Sequence, residues 1–310
     1  MSDFRERYGP YALVAGASVG LGEAFARGLA EHGINLLLVA RRQDVLERLA
    51  ADLRARHGVE VRTLAADLGQ PDLRQVIERT VAGLTVGLLV YNAAYSVIGP
   101  FVDHALDEQL RVLDVNCRGP LVLSHLLGKA MAERGRGGIV LMTSMAGSQG
   151  GPWLASYAAS KAFNLVLAEG LWDELHERGV DVVACRAGAT RTPGYEASRP
   201  RPSRVPLLEP DQVVHAALDA LGRKPSVVPG AFYRFSAFVM NRLLPRQMAV
   251  RIMGRATRQL YAGRDGHPEF CPLRARPCDC GHGLCLGPGG GHGRGMGFAR
   301  PASHPRGRRG

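Results

Sequence analysis

Apolar runs alternate with segments of helical periodicity along most of this chain, and this alternation constrains its fold more than any other feature. The runs are YALVAG (11–16), INLLLVA (34–40), VEVRTLAAD (59–67), TVGLLVYNAA (85–94), GGIVLMTS (137–144), VDVVACRAG (180–188) and, shorter, SVVPG (226–230). Strands that alternate with helices indicate βαβ units, and runs with little polar alternation are typical of parallel strands covered on both faces. With right-handed crossovers, the sequence predicts an α/β fold with a single doubly wound parallel sheet of about seven strands and helices on both faces.

Three consecutive segments are predicted along the chain. Residues 1–230 carry the alternating pattern, and residues 231–263 are predicted to form a basic, amphipathic helical extension. The tail, residues 264–310, contains 12 Gly and 6 Pro. Such a composition buries too little apolar surface to offset chain entropy, so the tail is predicted to be disordered. Its Cys and His residues match no standard zinc spacing, and no metal site is predicted.

The helical extension contains six arginines and no acidic residue between positions 231 and 262. Pro245 is expected to divide it into two helices. An apolar stripe recurs at helical spacing and consists of Phe232, Phe235, Phe238 and Val239. Packing of this stripe against the protein body or a second subunit is favoured, because apolar stripes are normally buried. A membrane-surface helix pair is the alternative, which leaves peripheral membrane contact through 231–262 open.

The formal net charge of the chain is +11. A basic protein can contact nucleic acid or anionic lipid, but a phosphate-bearing cofactor is an equally good reason for the excess charge. The arginine-rich tail lacks an aromatic or motif framework, so no nucleic-acid partner is predicted. No apolar run reaches the roughly 18 residues that span a bilayer, and the first residues, MSDFRERYGPYALV, lack the apolar core of a signal peptide. A cytoplasmic location is expected.

The first apolar run leads into AGASVGLG, in which Gly16, Gly20 and Gly22 precede a predicted helix. Such glycines permit a tight turn and a close approach of the backbone to a pyrophosphate, and the helix end supplies amides and a positive dipole. Because the loop joins the first strand and first helix of a βαβ series, it predicts a Rossmann-type dinucleotide site that includes Leu21.

The second run ends in LVARR, where dinucleotide folds often carry an acid that binds the ribose 2′-hydroxyl. Arg41 and Arg42 stand there instead, and guanidinium groups suit a 2′-phosphate. Ser18 in the glycine loop can add a hydroxyl to the same phosphate. NADP(H) is therefore favoured over NAD(H); a solvated basic start to the next helix is the simpler alternative.

Tyr157 and Lys161 lie four residues apart in SYAASKAF, and Lys161 is one of only three lysines in the chain. Residues i and i+4 share one face of a helix. A free tyrosine has a pKa of about 10, and an adjacent ammonium is expected to lower the pKa of the phenol toward neutrality. A surface tyrosine beside a solvated lysine is the alternative for this pair taken alone.

These and further motifs resemble the classical short-chain dehydrogenase/reductase family over about residues 8–230. In chain order they are AGASVGLG, AADL with Asp67, YNAA with Asn92, DVNCRG with Asn116, MTSMAG with Ser144, SYAASKAF and CRAGATRT. The stretch GASVGLGEAFARGLAEHGINLLLVARR is also similar to the branch that includes bacterial general-purpose reductases and hydroxysteroid dehydrogenases.

The resemblance implies four catalytic residues. Tyr157 would exchange a proton with the substrate oxygen, Lys161 would bind the nicotinamide ribose, and Ser144 would hydrogen-bond the substrate oxygen. Asn116, within a helical pattern from about Asp107 to Glu133, would hold a water of the proton relay; an Asn satisfied by packing is the alternative. The implied cofactor-binding positions also include Asp67, Leu68, Asn92, Gly188 and Thr192.

The whole pattern predicts an NADP(H)-dependent oxidoreductase that interconverts a carbonyl and a secondary alcohol on a lipophilic substrate. By the same resemblance, a homo-dimer or homo-tetramer is expected. The alternative function is a nucleotide-binding regulatory or membrane-associated module with little turnover.

Overall fold

The computed structural model describes residues 2–198 and 205–261, and a seven-stranded parallel sheet lies at its centre. The strands follow the order β3-β2-β1-β4-β5-β6-β7. Their bounds are β1 Tyr11–Ala15, β2 Asn35–Ala40, β3 Val61–Ala65, β4 Val86–Tyr91, β5 Gly137–Ser144, β6 Val180–Ala187 and β7 Ser226–Val227. Each predicted strand is present, and the predicted doubly wound α/β sheet is confirmed. The predictions for the tail, 264–310, lie outside the described residues.

Helices connect the strands and cover both faces of the sheet. They are α1 Ser2–Tyr8, α2 Leu21–Glu31, α3 Gln43–His57, α4 Leu73–Val81, α5 Leu106–Leu113, α6 Gly119–Arg134, α7 Ala155–His176, α8 Pro193–Ser198, α9 Pro210–Ala220, α10 Ala231–Phe238 and α11 Arg246–Tyr261. Short 3₁₀ segments occupy Phe101–Asp103 and Met145–Ser148, and π-helical segments occupy Asp114–Arg118 and Val239–Leu243.

Two apolar cores lie on opposite faces of the sheet because successive strand residues point to opposite sides. In β1, Val14 packs in the core with Phe25 of α2, whereas Leu13 packs in the other core with Leu127 of α6. Every residue of β1 and β4 is buried. This double burial explains why these strands read as continuous apolar runs rather than as an alternating pattern.

The strand order reverses direction at β1. The chain leaves β1 toward β2 on one side, and β4 then pairs with β1 on the other side. Connections diverge at such a switch point and leave a crevice beyond the carboxyl ends of the strands, where α/β proteins bind ligands. The glycine loop follows β1 directly into this crevice.

The helical pattern predicted from Asp107 to Glu133 is interrupted in the structure. Helices α5 and α6 are joined through the π-helical segment Asp114–Arg118, which contains Asn116. A π-turn accommodates one extra residue in a helix and is frequent at functional sites. The interruption therefore falls on one of the four residues that the family resemblance implies to be catalytic.

The carboxyl-terminal region forms two helical units, α10 with its π-helical continuation and α11, which are separated at Pro245 as predicted. Tyr233 and Ala237 of α10 are buried. Phe232, Phe235 and Phe238 remain exposed on the single chain, so these three phenylalanines are not buried against the body as one of the two predicted arrangements required. Packing of the stripe against a second subunit stays a prediction. Among residues 2–198 and 205–261, every helix is too short or too polar to cross a bilayer.

Candidate active site

A cavity of about 490 Å³, here called the loop cavity, lies beyond the carboxyl ends of β1, β2 and β4. Most of the predicted cofactor-binding residues line it: Gly16, Ser18, Gly20, Leu21, Arg41, Arg42, Asp67, Leu68, Asn92 and Thr192. Five segments far apart in sequence therefore bring these residues together, namely the glycine loop and the segments that follow β2, β3, β4 and β6. Gly22 lies beneath the loop, and Gly188 and Lys161 lie elsewhere.

The glycine loop is packed so closely that two of its positions have no room for a residue with a side chain. A Cβ at Gly16, whose φ is +83°, would lie 2.7 Å from backbone atoms of Ala93. A Cβ at Gly22 would lie 2.0 Å from the carbonyl oxygen of Gly16. Helix α2 begins at Leu21, directly at the cavity. The geometry leaves bare backbone and a helix amino terminus facing the cavity, which fits a dinucleotide pyrophosphate.

Arg41 and Arg42 follow β2 and line one end of the loop cavity. Nη2 of Arg42 donates to Oγ of Ser18 at 3.3 Å. Ser18 and Arg42 are 24 residues apart along the chain. Together with Arg41 they form one cationic corner of the cavity. Such a corner carries the donors that a phosphate group binds.

Asp67 lies on the far wall of the loop cavity. Its carboxylate accepts hydrogen bonds from the Gly69 amide at 3.0 Å and from Nη2 of Arg111 at 2.7 Å. Partial burial opposes ionisation, but these two donors hold the pKa of Asp67 below its ordinary value. The Arg111 guanidinium also lies 5.4 Å from the ring centroid of Tyr95.

Arg111 is a cavity-lining residue that sequence reasoning missed. It sits in α5 at a helix position where an arginine reads as a solvated surface residue. Its ion pair with Asp67 spans 44 residues of sequence, and no local pattern encodes such a pairing.

Asn92 ties β4 to the glycine loop. Its Nδ2 donates to the carbonyl oxygen of Gly16 at 3.1 Å, and its backbone amide donates to the Ala15 carbonyl oxygen at 2.9 Å. The side chain therefore lines the loop cavity and holds the glycine loop, while the backbone amide of the same residue bonds to the end of β1.

A second cavity of about 720 Å³, here called the apolar cavity, adjoins the first. Ala94, Thr192 and Gly194 line both cavities and form their common wall. Tyr157 and Ser144 line the apolar cavity, together with Gly188. Most of its other walls are apolar or aromatic, among them Ile98, Met145, Leu154, Phe232, Met240 and Met253.

Tyr157 and Lys161 lie one turn apart in α7, as the sequence predicts. The Nζ atom of Lys161 is 5.7 Å from the centroid of the Tyr157 ring and donates to the carbonyl oxygen of Met142 at 2.9 Å. The lysine side chain is only 3 % exposed. The alternative of a solvated surface pair is therefore excluded, and burial lowers the pKa of Lys161 to about 8.

The pKa of Tyr157 moves in the direction opposite to the prediction. Burial raises the pKa of its phenol above the ordinary value, and hydrogen bonding to the Ser144 side chain only partly opposes this. The prediction of a lowered phenol pKa is wrong for this arrangement. The physical reason is that desolvation penalises the charged phenolate more than the hydrogen bond to Ser144 favours it.

Asn116 is fully buried beneath the site and bonded on three sides. Its Oδ1 accepts from the Tyr95 amide at 2.7 Å, and its Nδ2 donates to the Tyr95 carbonyl at 2.8 Å and to Oγ of Ser160 at 2.9 Å. Ser160 directly precedes Lys161 in α7. The amide therefore anchors the segment after β4 to the helix that carries Tyr157 and Lys161.

Gly188 lies beneath Tyr233 of α10. A Cβ at Gly188 would come within 2.4 Å of the tyrosine ring. The Tyr233 hydroxyl accepts from the Ala189 amide at 3.1 Å and donates to the Pro206 carbonyl at 2.7 Å. Helix α10 is thereby fixed to the loop after β6. The same loop brings Thr192 so close to the glycine loop that a Cβ added at Gly20 would lie 3.0 Å from it.

Helices α10 and α11 supply much of the wall of the apolar cavity, which sequence reasoning did not foresee. The contributing residues are Phe232, Tyr233, Ser236, Met240, Ile252, Met253, Ala256, Thr257, Leu260 and Tyr261. Their spacing predicts helices with an apolar side, but nothing local to them shows which surface that side covers. The described part of the chain holds no group of three or more His, Cys, Asp or Glu side chains placed to bind a metal ion.

The short chain dehydrogenase family pattern matches residues 10–202, which is more than half of the sequence. The chain belongs to the short-chain dehydrogenase family. It is 31 % identical over 233 residues to a 7β-hydroxysteroid dehydrogenase of Collinsella aerofaciens, covering 74 % of this chain and 89 % of that protein.

Solved structures agree with this assignment. A 7β-hydroxysteroid dehydrogenase structure superposes with a TM-score of 0.77 at 30 % identity, covering 81 % of this chain and 98 % of the other. A short-chain dehydrogenase from Sphingobium yanoikuyae in complex with NADPH gives a TM-score of 0.66 at 31 % identity, covering 74 % of this chain and 92 % of the other. This short-chain dehydrogenase is therefore an oxidoreductase that acts on an alcohol or a carbonyl group and has an NAD(P)-binding Rossmann fold.

Proposed function

We propose that this enzyme is an NADP(H)-dependent oxidoreductase that interconverts a carbonyl and a secondary alcohol on a lipophilic substrate. The observation that carries the proposal is the position of Tyr157 and Ser144, which line an apolar cavity that shares a wall with the loop cavity. A substrate in one cavity and a nucleotide in the other would meet at Ala94, Thr192 and Gly194.

The residues of the loop cavity fit a phosphorylated dinucleotide. The glycine loop and the start of α2 would hold the pyrophosphate, and Asp67, Leu68 and Asn92 would line the adenosine side. Arg41, Arg42 and Ser18 form the corner that suits a 2′-phosphate, which supports NADP(H) over NAD(H). When bound, the nicotinamide supplies or accepts a hydride at the substrate carbon.

Tyr157 holds the proton that moves at the substrate oxygen. Because its pKa is raised, the phenol is protonated at neutral pH and is ready to donate to a carbonyl oxygen during reduction. Oxidation of an alcohol requires the phenolate, so we expect this direction to gain as pH rises. The Ser144 hydroxyl, close to the phenol, donates to the same oxygen and stabilises its developing charge.

Lys161 and Asn116 support Tyr157 in this proposal. Lys161 is protonated below a pH of about 8, so its positive charge lies 5.7 Å from the phenol ring at neutral pH. This charge would favour the negative charge that Tyr157 acquires when it donates its proton. Asn116 donates a hydrogen bond to Ser160, the residue before Lys161. This bond fixes the turn of α7 that carries Tyr157 and Lys161.

The substrate class follows from the walls of the apolar cavity. Apolar and methionine side chains make up most of the lining, and Tyr157 and Ser144 are among its polar groups. A cavity of this kind selects a ligand with one oxygen function on a large apolar body. Similarity to hydroxysteroid dehydrogenases supports the same class.

The first test is Tyr157→Phe, which removes the phenolic proton and little else. We expect kcat for ketone reduction to fall by about a hundredfold to ten-thousandfold, the range typical of lost general acid catalysis. NADPH affinity, measured by fluorescence titration, should stay unchanged. Tyr11→Phe is the matched control, because Tyr11 lies at the amino end of β1, away from the cavities at the carboxyl ends of the strands. It should retain wild-type kcat. Full turnover of the Tyr157 variant would reject the proposed role.

Cofactor preference is tested by the double substitution Arg41→Gln and Arg42→Gln. Each lost charge-assisted hydrogen bond is expected to weaken binding by about tenfold or more. The KM for NADPH should therefore rise at least tenfold while the KM for NADH changes little. Arg48→Gln, an exposed position of α3, is the control. Equal effects on both nucleotides would contradict NADP(H) preference.

We also propose that this short-chain dehydrogenase forms a homo-dimer or homo-tetramer. Exposed apolar side chains concentrate on α5, α6 and α7, and they include Leu106, Leu110, Leu113, Leu121, Phe163 and Val166. Contiguous exposed apolar surface of this kind is typical of protein interfaces. Light scattering on the purified protein measures the mass directly.

A further inference from the structure

A second exposed surface lies on the outer side of α10 and α11, and we call it the carboxyl-terminal face. Phe235 and Phe238 are 69 % and 55 % exposed, and Met248 is 48 % exposed. Exposed arginines lie among them: Arg234, Arg242, Arg251 and Arg255. The face therefore combines aromatic side chains with cationic groups.

The orientation of this face is fixed by contacts on the inner side of the same helices. Tyr233 is bonded to the loop after β6, and Nη1 of Arg246 donates to the Ser148 carbonyl at 2.8 Å. A Cβ at Gly254 would lie 2.8 Å from Pro152, which shows how closely α11 approaches the body. The two helices are thus amphipathic units whose inner sides line the apolar cavity.

The mouth of the apolar cavity opens onto the carboxyl-terminal face. Phe232 and Ile252 line the cavity and are nevertheless 47 % and 43 % exposed. A side chain that contacts both the cavity and solvent lies at the rim. A lipophilic molecule leaving the cavity by this rim passes Phe232 and Ile252.

The charge of the face indicates the kind of partner. Residues 231–261 contain six arginines and no Asp, Glu or Lys. Within residues 2–198 and 205–261, Arg234, Arg242, Arg251 and Arg255 form no ion pair. Two copies of this face brought together would oppose like charges, and residues 264–310, with eight Arg and three acids, are also basic. The complementary partner is therefore anionic.

The phenylalanines distinguish between anionic partners. Exposed aromatic side chains beside arginines are the composition of helices that lie in the plane of a bilayer surface, with apolar groups below the phosphates and cations among them. A nucleic-acid duplex, whose bases are already stacked, would use the cations but leave the three phenylalanines without an apolar environment. The cavity rim lies on the same face, so the apolar interior of a bilayer would adjoin the opening of the cavity.

We infer that the carboxyl-terminal face docks this enzyme on an anionic lipid surface, with the rim at Phe232 and Ile252 directed toward the bilayer. The phosphate groups pair with the arginines, and Phe235 and Phe238 enter the apolar boundary of the lipid. Access of a lipophilic substrate from the bilayer rests on the proposed function, whereas docking itself does not.

The experiment measures co-sedimentation of the full chain with phosphatidylcholine vesicles, with and without phosphatidylglycerol, in the absence of nucleotide and substrate. We expect binding to the phosphatidylglycerol vesicles that weakens with added salt. The triple substitution Arg234→Gln, Arg242→Gln and Arg251→Gln should weaken it about a hundredfold, since each arginine contributes roughly a tenfold effect or slightly less at an anionic surface.

The matched control is Arg136→Gln, Arg178→Gln and Arg223→Gln. These exposed arginines precede β5, β6 and β7, so they lie at the amino ends of the strands, and the apolar cavity lies at the carboxyl ends. The control removes the same charge and should leave vesicle binding unchanged. Phe235→Ser with Phe238→Ser should weaken binding roughly tenfold or more at unchanged charge.

Three outcomes would overturn the inference. The first is no binding to anionic vesicles, and the second is equal loss of binding in the test and control triples. The third is binding that is displaced by a duplex oligonucleotide and insensitive to the phenylalanine substitutions, which would indicate a nucleic-acid surface. Because turnover is measured separately on a water-soluble ketone, none of these outcomes affects the proposed oxidoreductase activity.

Discussion

The buried ammonium of Lys161 sets a conflict between stability and activity at the scale of one residue. A lysine in an unfolded chain has a pKa of about 10.4, whereas burial lowers the pKa of Lys161 to about 8. Below pH 8 both the folded and unfolded states are protonated, and the folded state carries the full cost of the buried charge. Between pH 8 and about 10.4 the folded state loses its proton first, so this cost fades as pH rises.

Lys161→Met tests this conflict. We expect the free energy of unfolding at pH 7 to rise by about 1–3 kcal/mol, because the buried charge is removed while one bond to the Met142 carbonyl is lost. Turnover should fall to near background in the same variant. Denaturant titrations at several pH values should show the stability difference shrinking above pH 8.

Lys129→Met is the control for this measurement, because Lys129 is exposed on α6. It should change the free energy of unfolding by less than about 0.5 kcal/mol at any of these pH values. A Lys161 variant that is less stable than the wild type, with a pH-independent difference, would show that the bond to Met142 outweighs the burial of charge.

At the scale of secondary-structure elements, the π-helical segment Asp114–Arg118 connects the two halves of the site. It turns Asn116 inward, where the amide satisfies both backbone groups of Tyr95 and one hydroxyl of α7. A regular helix through this stretch would direct these side chains differently. The local geometry and the position of the catalytic helix are therefore coupled.

Asn116→Leu keeps the branched shape of the side chain and removes the hydrogen bonds. It should lower the free energy of unfolding by about 2–5 kcal/mol, because the Tyr95 amide and carbonyl lose their partner inside the protein. Turnover should fall as well, since α7 loses an anchor beside Lys161. Thermal and denaturant unfolding measure the first effect, and steady-state kinetics measure the second.

Asn35→Leu serves as the comparison for Asn116→Leu. Asn35 accepts one hydrogen bond from the exposed amide of Glu60 at 2.9 Å, and water can replace that bond. Its substitution should cost less than about 1.5 kcal/mol. Equal destabilisation by the two substitutions would contradict the anchoring role of Asn116.

At the scale of the whole molecule, the sequence predicts those features that depend on local pattern. The five inner strands β1, β2, β4, β5 and β6 are readable because burial on both faces leaves a continuous apolar run. The edge strands β3 and β7 are less buried, and their patterns are correspondingly weaker. The glycine loop and the Tyr157–Lys161 spacing are readable because their geometry is set within one turn of the chain.

Features that depend on long-range packing could not be read in the same way. The Asp67–Arg111 pair joins two elements that the sequence treats separately. The raised pKa of Tyr157 depends on how much of the protein covers the phenol, which spacing does not encode. The exposure of Phe235 and Phe238 depends on Tyr233 and Ala237 occupying the side of α10 that meets the body.

The wall that α10 and α11 give to the apolar cavity has an evolutionary consequence. The chemistry resides in the stretch that the family pattern matches, residues 10–202, whereas this wall belongs to a later part of the chain. Changes in the last two helices can therefore reshape what the enzyme accepts while leaving its proton-transfer apparatus intact. Substitutions confined to α10 and α11 are thus a route by which such an enzyme changes its substrate preference.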